Sequence, residues 1–147
     1  LDAARVRTLP VDLQAMTDVL GVTIHVTSLL SPKVDAVYFP GLAAIALNSR
    51  KPRVRQRFSL AHEIAECALG RAGVNVHIVF TRHDLPRHDG ARERACDRFA
   101  AEILVPERFL TRRLLAQARA DPGEVARIFG VSQACLRLRL AEIDPSR

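Results

Sequence analysis

An α+β fold is predicted for this chain by three observations. Short alternating stretches lie near its start, one long helical period follows, and its tail is marked by helix start and stop signals. Residues 12–20 place Leu13, Met16, Val19 and Leu20 at helical spacing, and Gly21 is positioned to end that helix. Residues 22–27 alternate as a strand. Residues 34–39 form a second strand, stopped by Pro40 and Gly41, and residues 42–47 a third, ended by Asn48 and Ser49. Three short strands with tight connections predict an antiparallel meander.

The period changes over residues 54–69. Phe58, Ala61, Ala65 and Leu69 follow one helical face, Leu60, Ile64 and Cys67 widen it, and Gly70 closes it. Residues 74–80 alternate again and read as an edge strand. The expectation is thus a small antiparallel sheet of three to four strands packed on the long helix. Residues 81–90 are polar and contain Pro86, as a loop would. Residues 91–105 read as a helix stopped at Pro106. Two or three further helices follow: Asp121, Pro122 and Glu124 make a start signal, and Phe129-Gly130-Val131-Ser132 is a turn leading into a new cap. Leu136, Leu138, Leu140 and Ile143 supply the last helix with apolar side chains.

A length of 147 residues fits one domain with at most a small appendage, and 48% hydrophobic with 26% charged residues is a globular composition. No apolar run approaches membrane-spanning length. Residues 1–10 carry Asp2, Arg5 and Arg7 rather than a secretory signal. Three cysteines, Cys67, Cys96 and Cys135, sit among apolar residues without paired spacing, which predicts reduced core thiols and a cytoplasmic protein. Of the 22 basic residues all but Lys33 and Lys51 are arginine, and the net charge is +6. Arg50, Lys51, Arg53, Arg55 and Arg57 form the densest basic cluster. It suits nucleic acid or an acidic partner, and equally a plain solvated surface. Aromatic residues make up only 5% of the chain, which argues against base-stacking platforms.

The chemistry-bearing segment is Arg57-Phe-Ser-Leu-Ala-His62-Glu63-Ile-Ala-Glu66, inside the long helix. Positions 62 and 66 are one turn apart and share a face. HExxH motifs present two zinc ligands this way, with the intervening Glu as general base. Here a carboxylate replaces the second imidazole, and it too is able to coordinate zinc. Charged residues at this spacing also form ordinary solvated helix faces. A second helix then carries Glu93-Arg-Ala-Cys-Asp97-Arg-Phe99-Ala100-Ala101-Glu102-Ile-Leu-Val-Pro106.

Together the two segments resemble the ImmA/IrrE family of zinc metallopeptidase-like proteins, with its R-F-x-x-A-H-E-x-x-H helix and its E-x-x-A-N-x-F-A-x-x-L-L-M-P helix. The match lies at Arg57, Phe58, Ala61, His62 and Glu63, and at Glu93, Phe99, Ala100, Leu104 and Pro106. Cys96 stands in place of Ala, Asp97 in place of Asn, and Glu66 in place of the second His. The likeness extends from about Gly21 onward. It implies a metallopeptidase-like domain over residues 1–106 and a helical, helix-turn-helix-like subdomain over 107–147, packed on the first. It implies His62, Glu66 and Glu93 as metal ligands and Glu63 as the catalytic base. It implies zinc as the cofactor, with manganese, another divalent ion or an empty site as alternatives, because one His and two Glu make a harder and more anionic set. His83 or His88, in the loop before Glu93, either completes the site or faces solvent. His25 and His77 on strands read as structural.

The implied function is a cytosolic metal-dependent endopeptidase-like protein acting on a helix-turn-helix repressor, in stress response or mobile-element control. The alternatives are a catalytically impaired relative that regulates a repressor or toxin–antitoxin partner by binding, and a DNA-binding regulator. In the last case Gln133, Arg137 and Arg139 would make the contacts, although the tail helices read first as closing the core. No feature of the sequence identifies the residues that bind substrate or partner, and no membrane association is expected.

Overall fold

The structure, a computed structural model, describes residues 9–68 and 90–143. Helix α1 (Leu13–Leu20) begins at Asp12, whose carboxylate accepts from the backbone N–H groups of Gln14 and Ala15. It ends at Gly21, held at φ 66°, where a side chain would be strained. Strands β1 (Thr23–Thr27), β2 (Ala36–Phe39) and β3 (Ala44–Asn48) form the sheet. Helices α2 (Arg53–Ala68) and α3 (Gly90–Leu104) follow, and α4 (Arg112–Ala120), α5 (Pro122–Phe129) and α6 (Gln133–Ile143) make up the tail. The fold class is α+β, as the sequence implies.

The sheet departs from the expected antiparallel meander. Its order is β1-β3-β2, with β2 antiparallel to β3 but β1 parallel to β3. Only the β2–β3 connection is a tight turn, made by the short 3-10 segment Pro40–Leu42. Residues 28–35 between β1 and β2 are long enough to leave a place for β3 between them. Burial explains which strand takes that place. Ile45, Leu47 and Asn48 of β3 are buried, whereas Thr23, His25 and Val26 of β1 are exposed, as befits an edge. Asn48 fastens the long connection: its amide donates to the carbonyls of Ser31 and Val34, and its oxygen accepts from Arg50 N. The candidate fourth strand, residues 74–80, and the loop with His83 and His88 lie outside the described residues, as does His77.

Helix α2 lies between the sheet and the remaining helices. Leu60, Ala61 and Ile64 share one apolar core with Ile45 and Leu47 of the sheet, with Ala100, Ala101 and Leu104 of α3, and with Val125, Phe129 and Leu136 of the tail. Ala61 and Ala65 of α2 and Ala100 and Ala101 of α3 are all fully buried, and small side chains of this kind let helices pack closely. Pro106 follows the end of α3, in keeping with its place as a stop signal.

Two arginines prove to be internal ties. Arg57 is half-buried and does not simply join the exposed cluster. It donates to the carbonyls of Val11 and Gly130, joining α1 and the α5–α6 corner to α2. Gly130 sits at φ 65°, and a Cβ there would meet Arg57 Nε at 3.1 Å. Arg139 is buried and donates to the carbonyl of Val105 at the end of α3. The rest of the basic cluster is also partly answered internally: Lys51 and Arg55 both pair with Asp35.

Candidate metal centre

The site forms where α2 and α3 face each other. His62, Glu63 and Glu66 come from α2, and Glu93, Cys96 and Asp97 from α3. On α3 these three positions are i, i+3 and i+4, so one face offers them together. His62 Nδ1 donates to Asp97 Oδ1 at 2.9 Å. Its other nitrogen, Nε2, is 3.8 Å from Glu66 Oε1 and 3.5 Å from Glu93 Oε2. The imidazole is thereby aimed at two carboxylates from two different helices.

Burial grades the site from floor to rim. The Glu66 side chain is 3% exposed, that of His62 12% and that of Glu93 48%. Glu63 is buried beside them. Burial alone pushes the His62 pKa down. Hydrogen bonds to Asp97 and Glu66, with the charges of Glu63 and Glu66, outweigh it and raise the value to about 10. This favours the protonated ring, and a cation held at Nε2 would have to displace that proton.

Cys96, fully buried, adds a sulfur. One ring nitrogen of His62, one carboxylate oxygen of Glu66 and Cys96 Sγ all lie within 4.8 Å of one another. Imidazole, carboxylate and thiol are donors that a divalent ion such as zinc accepts. The donor set therefore fits a divalent metal.

Sequence reasoning singled out His62, Glu63, Glu66 and Glu93 but not Cys96 or Asp97 as part of this cluster. The available signal was their spacing from Glu93. His25 stands exposed on β1 with its ring beside Thr23 Oγ1, and among the described residues it joins no such group.

Two helices that gather an imidazole, carboxylates and a thiol, backed by a small sheet, define an α+β domain with a candidate metal-binding cluster. Residues 17–141 match the peptidase M78 family, described as the IrrE N-terminal-like domain, and the chain belongs to that family. No curated relative matches it. Among solved structures its fold is similar to that of a Mycobacterium tuberculosis transcriptional regulator, with a TM-score of 0.70 at 18% identity. That likeness covers 95% of this chain and 43% of the regulator, so the chain spans less than half of that protein. Among the described residues no helix is long and apolar enough to cross a membrane.

Proposed function

We propose that this domain is a metal-dependent endopeptidase-like module that controls a DNA-binding repressor, in the setting of stress response or mobile-element control. The observation that carries the reading is the single imidazole nitrogen, His62 Nε2, facing Glu66 and Glu93 with Glu63 adjacent. His62, Glu66 and Glu93 are the residues that would hold a divalent ion, zinc first. Such an ion would supply electrophilic polarisation of a scissile carbonyl and of the attacking water.

The remaining work falls to the chain itself. Asp97 fixes the tautomer and direction of His62. Glu63 accepts the proton of the attacking water and returns it to the leaving amine. Its burial strengthens both interactions by excluding bulk water. Family membership supports the metallopeptidase part. The regulatory part draws on the fold likeness to a transcriptional regulator and on the ImmA/IrrE resemblance.

A second reading, regulation by binding alone, is favoured by Glu66 standing where relatives have a second imidazole. Direct DNA binding loses support, because Arg139 is buried against the Val105 carbonyl. The deciding experiment captures partners from the native host and incubates them with the zinc-loaded chain. Cleavage that is lost with Glu63→Gln supports the enzyme, whereas stable binding without cleavage supports the second reading.

A further inference from the structure

We propose that Cys96 is a thiolate ligand of the metal at this site, completing with His62 and Glu66 an inner set of donors that selects zinc. The proposal rests on the metal-site reading above and deepens it.

The geometry points there in three ways. Cys96 shares the inward face of α3 with Glu93 and Asp97, both of which reach His62. It is fully buried and takes part in no disulfide. Its sulfur is also mutually close to the imidazole and to the Glu66 carboxylate, all within 4.8 Å. In a tetrahedral zinc site with bonds of about 2.0 Å to nitrogen and 2.3 Å to sulfur, donor atoms stand roughly 3.5 Å apart. His62 and Glu66 are already at 3.8 Å. The bound of 4.8 Å on all three pairs leaves about 1 Å to close, within the reach of side-chain rotation.

The exposure gradient assigns the positions. His62, Glu66 and Cys96 lie on the buried side, and Glu93 stands half-exposed at the rim. On metal entry the thiol proton and the imidazole Nε2 proton pass to solvent, and the ion takes their places. Sulfur offsets the hardness of a His and two-carboxylate set, so zinc, cobalt and cadmium are preferred over manganese. A thiolate added to the carboxylate ligands would make the loaded centre more anionic than a two-histidine site. Such a centre would hold the ion firmly and weaken its power to acidify water.

Cobalt substitution tests the assignment. Cobalt(II)-loaded wild type is expected to show thiolate-to-cobalt charge-transfer absorption in the near ultraviolet, lost with Cys96→Ala and retained with Cys67→Ala. Zinc affinity is expected to fall by roughly tenfold or more with Cys96→Ala, at least the loss that an outer-shell partner causes. Manganese affinity is expected to stay the same. X-ray absorption of zinc-loaded wild type needs no variant, and is expected to show a sulfur shell near 2.3 Å. Cobalt or zinc bound in a His62-dependent way without a sulfur signature, or a signature that survives Cys96→Ala, overturns the thiolate while leaving the metal site intact. Failure of wild type to bind either metal overturns both.

Discussion

Asp97 accepts a hydrogen bond from His62 across the α2–α3 junction at 2.9 Å, and so turns the opposite ring nitrogen toward Glu66 and Glu93. Metal-binding imidazoles are commonly fixed by such an outer carboxylate, which sets both ring orientation and basicity. Removing this partner with Asp97→Ala is therefore expected to weaken zinc binding by roughly tenfold to a hundredfold. Asp97→Asn, which keeps an oxygen acceptor, is expected to lose less. Titration calorimetry on both variants reads the difference, and equal affinity in Asp97→Ala and wild type would remove Asp97 from the site.

Glu63 is the expected proton acceptor. Glu63→Gln preserves size but cannot take a proton, so cleavage of the identified partner is expected to slow by roughly a hundredfold to ten-thousandfold. Metal content, measured alongside, is expected to be unchanged. Equal cleavage rates would place the activity elsewhere.

Arg139 is expected to matter for stability and not for DNA. Arg139→Ala leaves the buried Val105 carbonyl without that donor, at a cost of about 1–3 kcal/mol. Urea unfolding measures the loss. DNA affinity and its salt dependence, followed by fluorescence anisotropy, are expected not to change.

Asp35 gives the fold a defined response to acid. Burial alone raises its pKa, but the hydrogen bonds and charges of Lys51 and Arg55 outweigh this and hold it below 3.8. A depressed carboxylate contributes stability that is full above its unfolded value and is lost as pH falls through the folded value. The gap between wild type and Asp35→Asn is therefore expected to be about 1 kcal/mol at pH 7, solvent screening the half-exposed Arg55. Below pH 3.8 it is expected to shrink. Urea unfolding at pH 7 and in acid tests this, and a gap that grows in acid would contradict the assignment.

Local chemistry makes much of the fold legible. The caps at Asp12, Gly21, Asp121 and Gly130 act within one turn of the chain, so a single sequence displays them. Strand order is not local. Alternation marks β1, β2 and β3 as strands without naming their neighbours, and the meander expectation failed there. The nearly unbroken apolar run of Ala44, Ile45, Ala46 and Leu47 was the available clue to a central strand. The approach of Glu66 to His62 is legible from four-residue spacing, whereas that of Glu93 was reached only through resemblance. That Arg57 and Arg139 tie separate elements together is not legible, because nothing in the sequence shows that backbone carbonyls await them. Cys96 and Asp97 are visible in the sequence but not as members of the site, because which face of α3 meets α2 is a tertiary fact.

The central claim is that His62 anchors a divalent ion between α2 and α3. Its most direct test is metal analysis of the chain purified without chelator and then equilibrated with zinc, wild type beside His62→Ala. The expected result is zinc equimolar with wild type and absent from a folded His62→Ala variant. Wild type without bound metal, or equal zinc in both proteins, would contradict the account.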